Sequence, residues 1–188
     1  MIIRHGEKPP KHPGKAGPFD VKEDGSPGGG KSLIVPGWQR AGALNAFFAP
    51  YKSTPANPLV ARPDYIYAAS PKGESQRPYE TVTPLAAWLG YQRGSPQFNV
   101  DYTIGGEEAK MAASVLSLGG TVLIAWEHDN IMPNIMKAIN DQVTIANYAK
   151  ITNPFPDVFY LVWVLDLNGG KYTWTSTNQN LMAGDVQK

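Results

Sequence analysis

Short apolar runs alternate along this chain with segments of helical period, and the alternation closes on a glycine turn between two strand-like segments. Met1-Ile2-Ile3 is the first apolar run. Tyr65-Ile66-Tyr67-Ala68-Ala69, stopped by Ser70-Pro71, and Thr121-Val122-Leu123-Ile124-Ala125-Trp126 follow, and such bounded runs read as buried strands. Between them, Trp38 to Phe48 carries apolar residues at helical spacing and ends near Pro50. Pro78 suits the first turn of a helix that continues through Leu85, Ala86, Trp88 and Leu89 to Gly90, with a kink expected at Pro84. Glu107-Glu108 open a third helical segment that closes before Gly119-Gly120, and Pro133 opens a fourth through Ile139. Val158 to Leu167 and Lys171 to Thr177 flank Asn168-Gly169-Gly170, a strong hairpin signal. The pattern predicts an α/β fold: a three-layer α/β/α sandwich with a mostly parallel central sheet and a C-terminal β-hairpin. One domain, residues 1–188, accounts for the whole length, with no internal repeat.

Composition removes several function classes. A net charge of +1 leaves no basic stripe for nucleic acid. With no cysteine, disulfides, thiol nucleophiles and Cys-type metal sites are excluded. No apolar stretch approaches a membrane span and no leader with a basic head is present, so no membrane partner is expected. The chain as it stands reads as cytoplasmic. A buried strand usually runs about five or six residues, yet only Met1 to Ile3 precede Arg4. A longer precursor, with a few more residues or a leader, is therefore expected, and removal of a leader would make the protein an exported one.

Residues 8–36, rich in Lys, Pro and Gly, hold no period and read as a long functional loop. Within it, Gly25-Ser26-Pro27-Gly28-Gly29-Gly30-Lys31-Ser32 satisfies the phosphate-loop pattern G-x-x-x-x-G-K-[ST] letter by letter. That motif works only between a buried strand and a helix amino-terminus. Val21-Lys22-Glu23-Asp24 is no buried strand, and Leu33-Ile34-Val35-Pro36-Gly37 reads as β-branched and proline-broken rather than helical. The run is taken as a flexible glycine loop over the site, not a nucleotide cradle.

In open α/β sheets, ligands bind beyond the carboxyl ends of the strands. Those ends carry Arg4-His5, Ser70-Pro71 and Glu127-His128, with Arg77 at the start of the next helix. A neutral imidazole can attack phosphorus and form a phosphoenzyme that water later cleaves, and guanidinium forks match phosphate oxygens. The order Ile3-Arg4-His5-Gly6-Glu7, Ser70-Pro71, Arg77-Pro78-Tyr79-Glu80-Thr81 and His128-Asp129 resembles the histidine phosphatase superfamily, which includes cofactor-dependent phosphoglycerate mutases and histidine acid phosphatases. The resemblance covers residues 1 to about 140. It implies a phosphohistidine nucleophile at His5, phosphoryl contacts from Arg4 and Arg77, and a second histidine at His128. Lys8 and Pro10 resemble a lysine-substituted form of the longer acid-phosphatase motif, which implies a substrate contact at Lys8. The spacing from Ser70 to Arg77 is a few residues longer than the family's usual one.

For the proton donor the resemblance leaves two branches open. Asp129 follows His128 as in the acid-phosphatase branch, whereas the mutase-like branch uses a loop glutamate, here Glu107 or Glu108. Asp129 also suits a cap for the helix expected at Pro133. His12 reads as a plain loop residue, and Trp38, Trp88, Trp126, Trp163 and Trp174 as packing residues. The expected activity is metal-independent, cofactor-free hydrolysis of small phosphomonoesters. A non-catalytic phosphoryl-binding module and a phosphomutase are the alternatives.

Overall fold

A computed structural model of the chain describes residues 1–11, 17–73 and 75–185; His12 lies outside them. The apolar runs become strands of one sheet: β1 (Ile2–Arg4), β2 (Tyr65–Ala68), β3 (Phe98–Asn99), β4 (Val122–Trp126), β5 (Leu161–Asn168) and β6 (Lys171–Asn178). Their order across the sheet is β3-β2-β4-β1-β5-β6. The first four neighbours run parallel, while β5 is antiparallel to both β1 and β6, so the fold is mixed α/β.

The register explains why these runs are apolar throughout rather than alternating. Ile2 pairs with Ile124 and Trp163, and Ile3 pairs with Ala125 and Val162. Successive side chains point to opposite faces, and both faces are covered. Ile2, Ile124, Trp126 and Trp163 belong to one core cluster, and Ile3, Leu123, Ala125 and Val162 to the other. Helices α1 (Val35–Phe48) and α2 (Arg77–Leu89) add Leu44, Phe48, Val82 and Leu85 to the second cluster. Helix α3 (Glu108–Leu116) adds Met111 and Ala112 to the first. Burying each such large apolar side chain stabilises the fold by roughly 1.5–3 kcal/mol.

Local signals set several boundaries. Helix α2 starts at Arg77-Pro78, where the missing proline N–H has no helical partner to lose. It runs through Pro84 and ends where Gly90 adopts the left-handed conformation, φ 77°. Asn168 pairs with Lys171 across Gly169 and Gly170, whose φ values of 57° and 79° are what a two-residue hairpin turn requires.

Other boundaries differ from expectation. Helix α1 begins at Val35, not Trp38, because Pro36 is tolerated in a first turn. A helix therefore does follow the Gly25–Ser32 run, but no buried strand leads into it; Val21 makes only an isolated bridge, to Pro27. The helix expected to open at Pro133 opens five residues earlier. It comprises α4 (His128–Asn130), a π-helical stretch Ile131–Met136, and α5 (Lys137–Gln142). Pro133 cannot donate a backbone hydrogen bond, and it sits inside the wider π-helical turn instead of starting the helix. Trp88 is half exposed instead of packed inside, although Trp126 and Trp163 are fully buried. No helix among the described residues is long and apolar enough to cross a membrane.

Candidate functional site

Parallel pairing of β1 with β4 and of β4 with β2 brings three strand carboxyl ends to one edge of the sheet. The chain leaves β1 at Arg4 and is fastened at every following residue. His5 N donates to Trp126 O at 3.0 Å, and Gly6 N donates to Thr81 Oγ1 on α2 at 2.7 Å. Ile34 N, ahead of α1, donates to Glu7 O at 3.1 Å. The start of α1 crosses this turn so closely that a Cβ on Gly37 would stand 2.6 Å from Glu7 O. Only glycine fits there.

His5 is 1% exposed. Its Nδ1 lies 2.7 Å from Gly6 O, and a carbonyl can only accept, so Nδ1 carries the proton and the Nε2 lone pair is free. Nε2 is buried and has no hydrogen-bond partner among the described residues. Burial pushes the imidazole well below its ordinary range, against the Gly6 carbonyl, and the positive charges of Arg4, Arg77 and Lys8 push it the same way. His5 is therefore neutral at neutral pH.

Arg4, His128 and Arg77 each hold buried nitrogens that also lack a partner among the described residues. Arg4 is 1% exposed, with Nε and Nη2 orphaned and its guanidinium carbon 4.1 Å from the centre of the Phe159 ring. Its Nη1 donates to Asp157 Oδ1. The buried His128 places Nε2 3.2 Å from Asp129 Oδ1 and 3.7 Å from Asp157 Oδ1, while Nδ1 is orphaned. Burial and then Arg4 lower the His128 imidazole, opposed by the two aspartates. Arg77 uses Nη2 to hold Gly30 O at 2.7 Å and Nη1 to hold Ser75 Oγ at 3.2 Å, leaving Nε buried and unpartnered. Ser70, Arg77 and Glu127 line one cavity. Lys8 lines another with Arg77, its ammonium lowered by burial and by Arg4 and Arg77. Guanidinium N–H groups without a partner among the described residues are the kind of donor that an anion can engage.

The four carboxylates separate clearly. Glu107 accepts from Thr103 N and Thr103 Oγ1, at 2.9 and 2.8 Å. Glu108 is buried and accepts from Gly105 N, Gly106 N and Trp126 Nε1. Both are occupied in holding the loop before α3. Asp129 lies in the first turn beyond β4; the residue preceding that helix is Glu127, so Asp129 does not cap it. Its side chain is 69% exposed beside His128. Asp157, 79% exposed in its side chain, was not anticipated. The signal for it is topological: β5 runs antiparallel to β1, so the residues entering β5 arrive at the carboxyl end of β1. Nothing in the local sequence Phe155-Pro156-Asp157 marks it.

The His5 shift carries a stability consequence with a definite sign. In the unfolded chain the imidazole titrates near pH 6.5, and in the folded protein it does so lower. Between those values the unfolded chain binds a proton that the folded one refuses, so stability falls as pH drops below about 6.5. His5→Gln should therefore show a shallower loss of urea stability between about pH 6.5 and 5 than the wild type. Equal slopes would refute the shift. No protein-family model and no curated protein sequence matches this chain.

Proposed function

We propose that this chain is a metal-independent phosphohydrolase of the histidine phosphatase type, built on a three-layer α/β/α sandwich like that of phosphoglycerate mutases. Nε2 of His5 attacks the phosphorus of a small phosphomonoester. The bond from phosphorus to the leaving oxygen breaks, and Asp129 gives that oxygen its proton. Water then attacks the phosphohistidine, returns a proton to Asp129 and releases inorganic phosphate. Arg4, Arg77 and His128 hold the phosphoryl oxygens, and Lys8 contacts the substrate. Preorganised cations aimed at the transferring group are the kind of stabilisation this transfer needs.

One observation carries the reading: His5 is buried with its Nδ1 tied to Gly6 O, which leaves Nε2 without a partner among the described residues, and Arg4, Arg77 and His128 likewise hold buried nitrogens without one. Mixing enzyme with a radiolabelled aryl phosphate in EDTA and quenching in alkali should trap label that survives base and is lost in acid. Loss of activity in EDTA that Mg²⁺ restores, or an acid-stable label, would contradict the mechanism. Asp157 on Arg4 favours a second reading, a phosphoryl-binding module without turnover. In that case inorganic phosphate binds and no label forms.

A further inference from the structure

Beside the cation group around His5, described residues of the loop between β1 and α1 line a half-open cavity of about 720 Å³. Its apolar walls are Pro9, Pro10, Pro27, Val21 and Phe19, and the charged Lys8, Lys11, Asp20 and Arg77 complete the side-chain lining. Phe19 is 57% exposed, an aromatic ring left open to solvent. Lys8 and Arg77 line this cavity and are also among the cations whose charge acts on His5, so the cavity shares two residues with the proposed phosphoryl site. The volume falls in the range of small-molecule sites.

The walls discriminate between leaving groups. A sugar or glycerol body brings hydroxyls that lose water on entry and need donors and acceptors in return. Three prolines have no N–H to offer, and Lys8 and Arg77 are engaged by the phosphoryl group in this reading, which leaves Lys11 and glycine N–H groups as the lining's remaining donors. The one carboxylate in the lining, Asp20, already accepts from Ser32 N at 2.9 Å. An apolar ring loses little on entry and gains contact with Phe19 and the proline faces.

We infer that this cavity receives the leaving group of the substrate, and that the group is an aromatic or similarly apolar alcohol. The inference rests on the phosphohydrolase reading, and its test separates the two. Naphthylmethyl phosphate and glycerol 3-phosphate both release a primary alcohol, so their chemistry is comparable and the cavity decides between them. In the wild type, kcat/KM should be about tenfold or more higher for naphthylmethyl phosphate. In Phe19→Ala that ratio should fall toward one, and in Phe19→Trp it should persist. A ratio at or below one in the wild type, or a ratio that Phe19→Ala leaves intact, overturns the inference while leaving phosphohydrolysis standing. If neither ester is turned over, the parent reading fails, and calorimetry then decides the cavity alone. Naphthylmethylphosphonate should bind about tenfold more tightly than methylphosphonate, and equal affinities would overturn the inference.

Discussion

Replacing His5 by alanine is expected to lower phosphomonoester turnover by roughly 10⁴-fold or more and to abolish the base-stable label, because the covalent route disappears with its nucleophile. The substitution removes a ring whose Nδ1 bonds only its neighbour Gly6 O, so the turn stays fastened by His5 N to Trp126 O and by Gly6 N to Thr81 Oγ1. A folded but inactive protein is the expected result, read by circular dichroism beside a release assay. His128→Ala should also cripple turnover, since it takes a donor from the transferring group. Phosphate affinity should suffer less there than in Arg4→Ala, where the guanidinium fork is lost. Near-normal activity in His5→Ala would end the phosphohistidine proposal.

The largest expected effect on stability lies behind the site, at Arg40 on α1. Its guanidinium is buried and fully engaged: Nη2 donates to Glu7 Oε1 and Asp185 Oδ1 at 2.7 Å each, and Nη1 donates to Gln179 Oε1 and Asp185 Oδ2 at 2.9 Å each. Burial alone would lower this group, but the bonds from Asp185 and Glu7 outweigh burial and raise it. Asp185 in turn caps the backbone N–H groups of Leu181 and Met182. Arg40→Ala leaves two carboxylates facing each other without their cation. Breaking a buried ion network from one side costs about 3–5 kcal/mol, and urea unfolding should show a loss of that size. Adding Asp185→Asn to Arg40→Ala should recover part of it, because one stranded charge is gone. A loss under about 1 kcal/mol would mean that water replaces the guanidinium at little cost.

Legibility in the sequence followed how local each determinant is. The hairpin is written in Asn168-Gly169-Gly170, and both limits of α2 are written in Pro78 and Gly90, since turns and caps depend on adjacent residues. Strand β3 escaped, because Phe98 and Asn99 alone are too few for any period to show. The helix from His128 was misplaced because a proline normally marks a first turn, whereas here a π-helical turn takes it in. The grouping of Arg4, His5 and His128 at one edge could be anticipated from strand ends and parallel order. Asp157, Phe159 and the Glu7–Arg40–Asp185 network could not, because each depends on which distant segments the sheet order brings together.

Strand β1 is three residues long and lies between β4 and β5, so both of its neighbours are synthesised long after it. Isolated, Ile2-Ile3-Arg4 has too few contacts to hold any conformation. The Arg4-His5 turn therefore acquires its shape only once Trp126 and Val162 have left the ribosome and closed two long loops, a costly ordering of events for a folding chain. A nascent or truncated chain ending before Leu161 would carry the Arg-His-Gly motif and still have no assembled site.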